Sequence, residues 1–186
     1  MPGPNYLDSI INNWRVYSGH SSKSAKLCES FLSTIINTNK YPLTKLSSLT
    51  SSEIAKIMEN SYRAVNIAFI EEWARFSEKI GANSFEIINA IRRRPTHSNI
   101  RQPGFGVGGY CLTKDPLFAK LAANDLFKIK NLNFPFCEMG VKVNNNMPME
   151  NFNLIKKYLK KMSNIRILLL GASYRSEVDD TRYSPS

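Results

Sequence analysis

The sequence predicts a mainly α chain, with a helical centre set between two short α/β ends. Three observations carry this. Across residues 52–80, Ile54, Ile57, Met58, Val65, Ala68, Phe69, Trp73, Phe76 and Ile80 recur at three- and four-residue steps, the spacing of one helix face. Ahead of it, Trp14, Val16 and Tyr17 mark a short strand at residues 13–19, followed by an amphipathic run at 22–36. Behind it, the apolar run 165–170 followed by Gly171 has the composition of a buried parallel strand.

Taken in order, the strand at 13–19 leads into a helix over 22–36 with Leu27, Phe31 and Ile35 facing inward. Residues 37–48 are turn-rich and contain Pro42, which marks a linker. Thr50-Ser-Ser-Glu53 has the form of a capping box and starts the long helix, which Gly81 ends. A second helix follows over 84–91 and stops at Arg92-Arg-Arg-Pro95. Helices over 116–124, 135–146 and 149–161 complete the pattern, with Pro148 breaking the last two apart.

The densest chemistry lies in Pro103-Gly-Phe-Gly-Val-Gly-Gly-Tyr-Cys111-Leu-Thr-Lys114-Asp115-Pro116. Gly104, Gly106, Gly108 and Gly109 let the main chain come close to a ligand that side chains would block. Asp115-Pro116 has the form of a helix start, with Asp as the N-cap, so Cys111 sits just ahead of a helix N-terminus. The positive end of that helix, with Lys114 beside it, favours a thiolate. A lone cysteine is usually a small buried hydrophobe, but the glycines and flanking charges point to a nucleophile.

Composition excludes several classes. Three widely spaced cysteines, Cys28, Cys111 and Cys137, are an odd number and do not form a disulfide framework, which fits a reducing compartment. There is no apolar run of the roughly 20 residues that span a bilayer and no signal-peptide pattern, so the expected location is the cytoplasm, with no membrane partner. The net charge of +10 is scattered, apart from Arg92-Arg93-Arg94 and the helical-spaced Lys156-Lys157 and Lys160-Lys161, so no nucleic-acid partner is expected. His20 and His97 lack ligand-spaced neighbours, and no metal site is assigned.

The cysteine loop resembles the active-site loop of the nucleotide-sugar dehydrogenases, the UDP-glucose, GDP-mannose and UDP-N-acetylhexosamine 6-dehydrogenase family, in which Gly-Gly-x-Cys-x-x-Lys-Asp carries the catalytic cysteine. Three further segments agree in order. Glu53-x-x-Lys56-x-x-x-Asn60-x-x-Arg63 with Asn66 to Glu72 is similar to the family's long central helix, Asn144-x-x-Met147-Pro148 to its junction with the last domain, and Leu170-Gly171 to Arg175 with Asp179-Asp180-Thr-Arg182-x-Ser184-Pro185 to the opening of the UDP-binding domain.

The resemblance implies a central helical dimerisation domain at 49–147, preceded at 1–48 by the end of an NAD-binding domain and followed at 148–186 by the start of a UDP-binding domain. The flanking pieces are then the partial ends of two Rossmann-like α/β domains. It implies Cys111, Lys56, Asn60 and Asp115 as catalytic residues, with Lys56 and Asn60 converging from one helix face on an oxygen that gains charge. Lys114, Gly106, Gly108, Gly109, Arg101 and Arg175 are implied for substrate and Arg182 for the cofactor, NAD. The implied chemistry oxidises C6 of a UDP-sugar to the acid through a cysteine thiohemiacetal and thioester, in a homodimer formed through the central helix. Val107 and the helix pattern are closer to the N-acetylhexosamine branch than to the UDP-glucose branch. Two departures stand out: Thr113 where the loop commonly has Pro, and Arg175 where the UDP-domain motif commonly has Lys.

No Gly-x-Gly-x-x-Gly follows a strand in this sequence, so the dinucleotide fingerprint is absent and an internal piece of a longer enzyme is expected, inactive alone. A truncated, catalytically inactive remnant that only dimerises is the alternative. A cysteine hydrolase using His97 is a third reading, but His97 has no recognisable orienting partner.

Overall fold

The computed structural model describes residues 5–159 and 163–186. In chain order its elements are α1 (Tyr6–Ile11), β1 (Val16–Tyr17), α2 (Ser22–Ser33), β2 (Thr44–Lys45), α3 (Leu49–Ile80), α4 (Ser84–Arg92), a 3-10 turn at Pro95–His97, α5 (Asp115–Asp125) and α6 (Pro135–Tyr158). The fold is mainly α, as expected. It divides into two compact units, Met1–Met58 and Glu59–Ser186, with the boundary inside α3.

In the first unit β1 and β2 pair in parallel, Val16 opposite Thr44 and Tyr17 opposite Lys45. Helix α2 makes the crossover that parallel pairing requires. The stretch expected as a linker over 37–48 therefore contains a strand. Helix α2 starts on a capping box in which Ser21 Oγ accepts from the Ser24 N–H at 3.2 Å and Ser24 Oγ accepts from the Ser21 N–H at 2.8 Å. Its inward face differs from expectation. Ala25 and Ile36 are buried and Cys28 and Leu32 half-buried, whereas Leu27 and Phe31 are 63% and 64% exposed. Ile35 is exposed with them. The covered stripe lies one position away from the most apolar one. Glycine at 19 explains how close strand and helix come, since a side chain there would collide with the backbone of Ala25.

Helix α3 begins earlier than the Thr50 box predicts. The Ser48 hydroxyl accepts from the Ser51 N–H at 3.0 Å, so the cap lies two residues before Thr50 and leaves Thr50 inside the helix.

The second unit is built on the rest of α3, with α4, α5 and α6. Asn144 of α6 donates through Nδ2 to the Ala64 carbonyl at 3.0 Å, a buried bond between helices. At Gly140 the two helices come close enough that a Cβ would stand 3.2 Å from Val65 Cγ2. Lys120 of α5 meets Glu138 of α6 at 2.7 Å. Helix α6 runs unbroken through Pro148, against the expected division there. Proline removes the one donor that the Asn144 carbonyl would otherwise meet, and the helix continues past it, with Asn151 Nδ2 bonding the Met147 carbonyl at 2.8 Å. The basic residues Lys156 and Lys157 fall in the last turn of α6, while Lys160 and Lys161 lie outside the described residues.

The run at 165–170 is not a strand. Leu168 and Leu170 are 81% and 84% exposed, and no described strand lies beside them. An apolar run becomes a strand only when a neighbour completes the backbone ladder.

Candidate active site around Cys111

The loop ends in a tight turn. The Cys111 carbonyl accepts from the N–H groups of Lys114 at 3.2 Å and Asp115 at 2.9 Å, which fixes the cysteine one turn ahead of α5 and leaves its side chain exposed. Thr113, where proline was expected, donates its hydroxyl to the Gly109 carbonyl at 2.8 Å and so ties the turn by a hydrogen bond.

Asp115 is not the N-cap. Helix α5 begins at Asp115 itself and its carboxylate makes no capping bond. Both oxygens are committed elsewhere: Oδ2 accepts from Asn60 Nδ2 at 2.7 Å and Oδ1 from Lys114 Nζ at 2.9 Å. Asn60, only 1% exposed, thereby anchors the loop to α3. The Lys114 ammonium is held in its charged form above its usual range, first by the hydrogen bond to Asp115, against partial desolvation, with smaller Coulombic help from Asp115 and Cys111. Lys114 also lies over the rings of Tyr110 at 5.0 Å and Phe118 at 4.5 Å.

The other face of Tyr110's surroundings is supplied by the chain's last segment. Arg182 lies 5.1 Å from the Tyr110 ring centroid and grips Asp180 through Nε and Nη2 at 2.9 and 2.7 Å. Those bonds, then one from the Arg182 backbone N–H, draw the Asp180 carboxyl down to about 2. The Gly109 N–H donates to the Arg182 carbonyl at 2.9 Å. With φ of +80° and the Tyr174 ring 2.8 Å from where a Cβ would stand, position 109 accepts only glycine. The close approach expected of a ligand at Gly106, Gly108 and Gly109 is made here by the chain's own Pro185, Tyr183 and Tyr174.

A cavity of about 360 Å³ opens beside this loop, lined by Val107, Thr113, Lys114, Asn144, Tyr183 and Pro185 among others. Asn144 brings to it a buried Oδ1 without a hydrogen-bond partner among the described residues, and Asn60 Oδ1 is in the same condition.

The structure thus brings together Cys111, Lys114, Asp115, Asn60, Gly109 and Arg182. Lys56 is an exposed residue of the first unit. Arg101 ties its N–H to Asn66 Oδ1 at 3.0 Å and leaves its side chain exposed. Arg175 lies on the 170–179 loop, which encloses a separate cavity of about 630 Å³. In the arginine cluster, Arg92 is committed to the Ile100 carbonyl through Nε and Nη2 at 2.9 and 2.7 Å. Sequence reading missed Tyr110 as the ring shared by Lys114 and Arg182, missed the polar residues Glu71 and Asn151 of the helix faces, and placed Asn144 only at a domain junction. The available signal was their placement: polar side chains recurring where helical spacing calls for core.

Residues 50–146 match the UDP-glucose/GDP-mannose dehydrogenase family, central domain, and the chain belongs to that family. It is 34% identical over its whole length to a UDP-N-acetyl-D-mannosamine dehydrogenase of Methanocaldococcus jannaschii, covering 40% of that protein. The solved UDP-D-ManNAc dehydrogenase of Pyrococcus horikoshii superposes with a TM-score of 0.81 at 31% identity, over 97% of this chain and 41% of that one. An NDP-N-acetyl-D-galactosaminuronic acid dehydrogenase of Methanosarcina mazei gives the same TM-score at 26% identity, over 97% and 40% of the two chains. The chain therefore spans about two-fifths of the length of these relatives. Among the described residues no helix is long and apolar enough to cross a membrane.

Proposed function

We propose that this chain supplies the nucleophile and its polar support to a cytoplasmic, NAD-dependent UDP-sugar 6-dehydrogenase, acting on a UDP-N-acetylhexosamine in preference to UDP-glucose. The observation that carries this reading is the exposed Cys111 held one turn before α5 with the Asn60–Asp115–Lys114 chain directly behind it. The names of the relatives, UDP-N-acetyl-D-mannosamine dehydrogenases among them, support the substrate class.

In this reading Cys111 Sγ adds to the C6 aldehyde, forming a carbon–sulfur bond, and the carbonyl oxygen becomes the hydroxyl of a thiohemiacetal. After oxidation to the thioester, water attacks the acyl carbon and the thiolate leaves as the acid forms. Asn60 acts here as the residue that orients Asp115, because its amide already donates to that carboxylate. Lys114 supplies positive charge to the thiolate and substrate. Arg101 and Arg175 contribute toward the phosphates of the substrate, while the main chain at Gly106, Gly108 and Gly109 meets the chain's own Pro185, Tyr183 and Tyr174.

Two NAD molecules would each accept one hydride of the four-electron oxidation. Arg182 is the residue assigned to the NAD pyrophosphate: Asp180 takes Nε and Nη2, and Nη1 is the guanidinium nitrogen left to face a phosphate. The three-part organisation at 1–48, 49–147 and 148–186 belongs to the same proposal. So does a homodimer through α3, whose outward face carries Phe69, Trp73, Phe76 and Ile80, all at least half exposed.

The test replaces the matching segment of the Methanocaldococcus jannaschii relative with this chain and follows NADH formation on UDP-N-acetyl-D-mannosamine. The expected result is turnover in the chimera and a loss on the order of a thousandfold or more with Cys111→Ala. A folded chimera without turnover sinks the dehydrogenase reading, and a Cys111→Ala chimera that still oxidises the sugar sinks the nucleophile.

A further inference from the structure

Residues 172–186 belong to no helix or strand, yet the segment lies on the cysteine loop at several points. Main chain meets main chain where the N–H of Gly109, a buried residue, donates to the Arg182 carbonyl at 2.9 Å. Side chains meet beside that bond: the Tyr110 and Tyr183 ring centroids stand 6.0 Å apart, and the Arg182 guanidinium lies 5.1 Å from the Tyr110 centroid. The segment is shaped for this by its own bonds. The Tyr174 N–H donates to the Asp180 carbonyl at 3.3 Å, and Asp180 Oδ1 accepts from the Arg182 N–H at 3.0 Å and from Arg182 Nε at 2.9 Å.

The glycines show how close the contact is. Gly106 and Gly108 do not take a positive φ, so conformation does not demand glycine at either. Space does. A Cβ on Gly108 would press against Tyr174 Cβ and stand 2.6 Å from the Tyr183 carbonyl oxygen, and one on Gly106 would stand 2.5 Å from Pro185 Cβ. A Cβ on Gly104 would meet nothing within 4 Å. Close-packed contacts leave no slack, so a shift of the later segment is passed to the loop. Cys111 follows Gly109 by two residues, and its carbonyl closes the turn by accepting from the Lys114 and Asp115 N–H groups.

We infer that residues 174–185 form a strap that sets the position of the loop carrying Cys111, with Tyr174, Tyr183 and Pro185 seated on its glycines and the Arg182 carbonyl as the hydrogen-bonded anchor. Tyr174, Tyr183 and Pro185 are positioning residues and act on the thiol through the main chain of the loop. The consequence for catalysis rests on Cys111 being the nucleophile; the strap itself does not, and its test uses no turnover.

The test is amide-resolved hydrogen exchange on the 186-residue chain, comparing wild type with Gly108→Ala, Gly104→Ala, Tyr174→Ala and Tyr174→Phe. The expected result is that exchange at Gly109, Lys114 and Asp115 rises at least about fivefold in Gly108→Ala and Tyr174→Ala, while interior amides of α3 and α6 stay within about twofold. Gly104→Ala, which meets open space, and Tyr174→Phe, which keeps the ring over Gly109, stay near wild type; loss of a glycine or of a hydroxyl is then not the cause. Unchanged exchange at Gly109, acceleration at Gly109 without any at Lys114 and Asp115, equal effects of Gly104→Ala and Gly108→Ala, or a uniform rise across α3 and α6 would each overturn the strap. Tyr174→Ala, set against Tyr174→Phe, carries the test alone if Gly108→Ala fails to fold.

Discussion

The two faces of α3 within the second unit are made of opposite materials. The covered face carries Asn60, Ser61, Ala64, Ala68, Ile70, Glu71 and Ser77, mostly small or polar. The uncovered face carries Phe69, Trp73, Phe76 and Ile80, with ring centroids 6.3 Å apart for Phe69–Trp73 and 6.0 Å for Trp73–Phe76. Small residues let α6 approach until Asn144 reaches the Ala64 carbonyl, and the polar Asn60 fastens the cysteine loop through Asp115. The aromatic face does nothing comparable within this chain, and a large apolar surface of that kind fits a second copy. Burial within one chain and hydrophobicity therefore report different things here: the first marks where the candidate site is built, the second the face through which the proposed homodimer would form.

The largest effect expected from this difference comes from filling the covered face. Ala64 is 0% exposed, so Ala64→Leu has no space and forces α3 and α6 apart at the Asn144 bond. A cost of about 1–3 kcal/mol is expected, read by urea denaturation. A variant as stable as wild type would show that the two helices are not in close contact there.

This is also why the sequence was only partly legible. Long apolar periodicity gave α3, Ser84 and the arginine run bounded α4, and Gly-Gly-x-Cys-x-x-Lys-Asp marked the loop. The faces were harder to read, because an apolar stripe tells that a surface is to be covered and not by what. Leu27 and Phe31 looked inward for that reason, and the covered positions proved to be Ala25, Cys28, Leu32 and Ile36. Residues 165–170 had strand composition without a described neighbour to pair with. In the site, Cys111, Asn60 and Asp115 could be named from the motif, but the Asn60–Asp115 bond joins positions 55 apart and no local pattern encodes it. Proline at 148 misled in the opposite sense, since it removes one intrahelical hydrogen bond and α6 continues past it.

An intermediate effect is expected on the pH dependence of stability. The folded-state pKa of Glu71 is raised above 4.5, chiefly by burial, with Arg75 opposing and Glu150 adding to the shift. The folded state therefore holds this proton to higher pH than the unfolded chain does. The resulting stabilisation is fully present below the unfolded value and is lost as pH rises through the raised one. Glu71→Gln cannot titrate, so its denaturation midpoint lacks that downward slope above about pH 4.5. Parallel slopes for the two proteins would remove Glu71 from the covered face.

The smallest folding effect is expected where the side chain is largest. Trp73 is 55% exposed, and its described ring contacts are both with exposed neighbours on its own helix. Trp73→Ala gives up those edge contacts and gains helix propensity, two small terms of opposite sign, so folding stability in dilute solution should change by no more than about 0.5 kcal/mol. Self-association should respond quite differently. If α3 meets a second copy through this face, removing its central indole takes away an anchor of the kind that dominates interfaces, and the dimer should dissociate by at least about tenfold more readily in sedimentation. A Trp73→Ala chain that unfolds easily, yet associates as wild type does, would reverse the roles assigned to the two faces: the aromatic side would be serving the fold, and the partner surface would have to lie elsewhere.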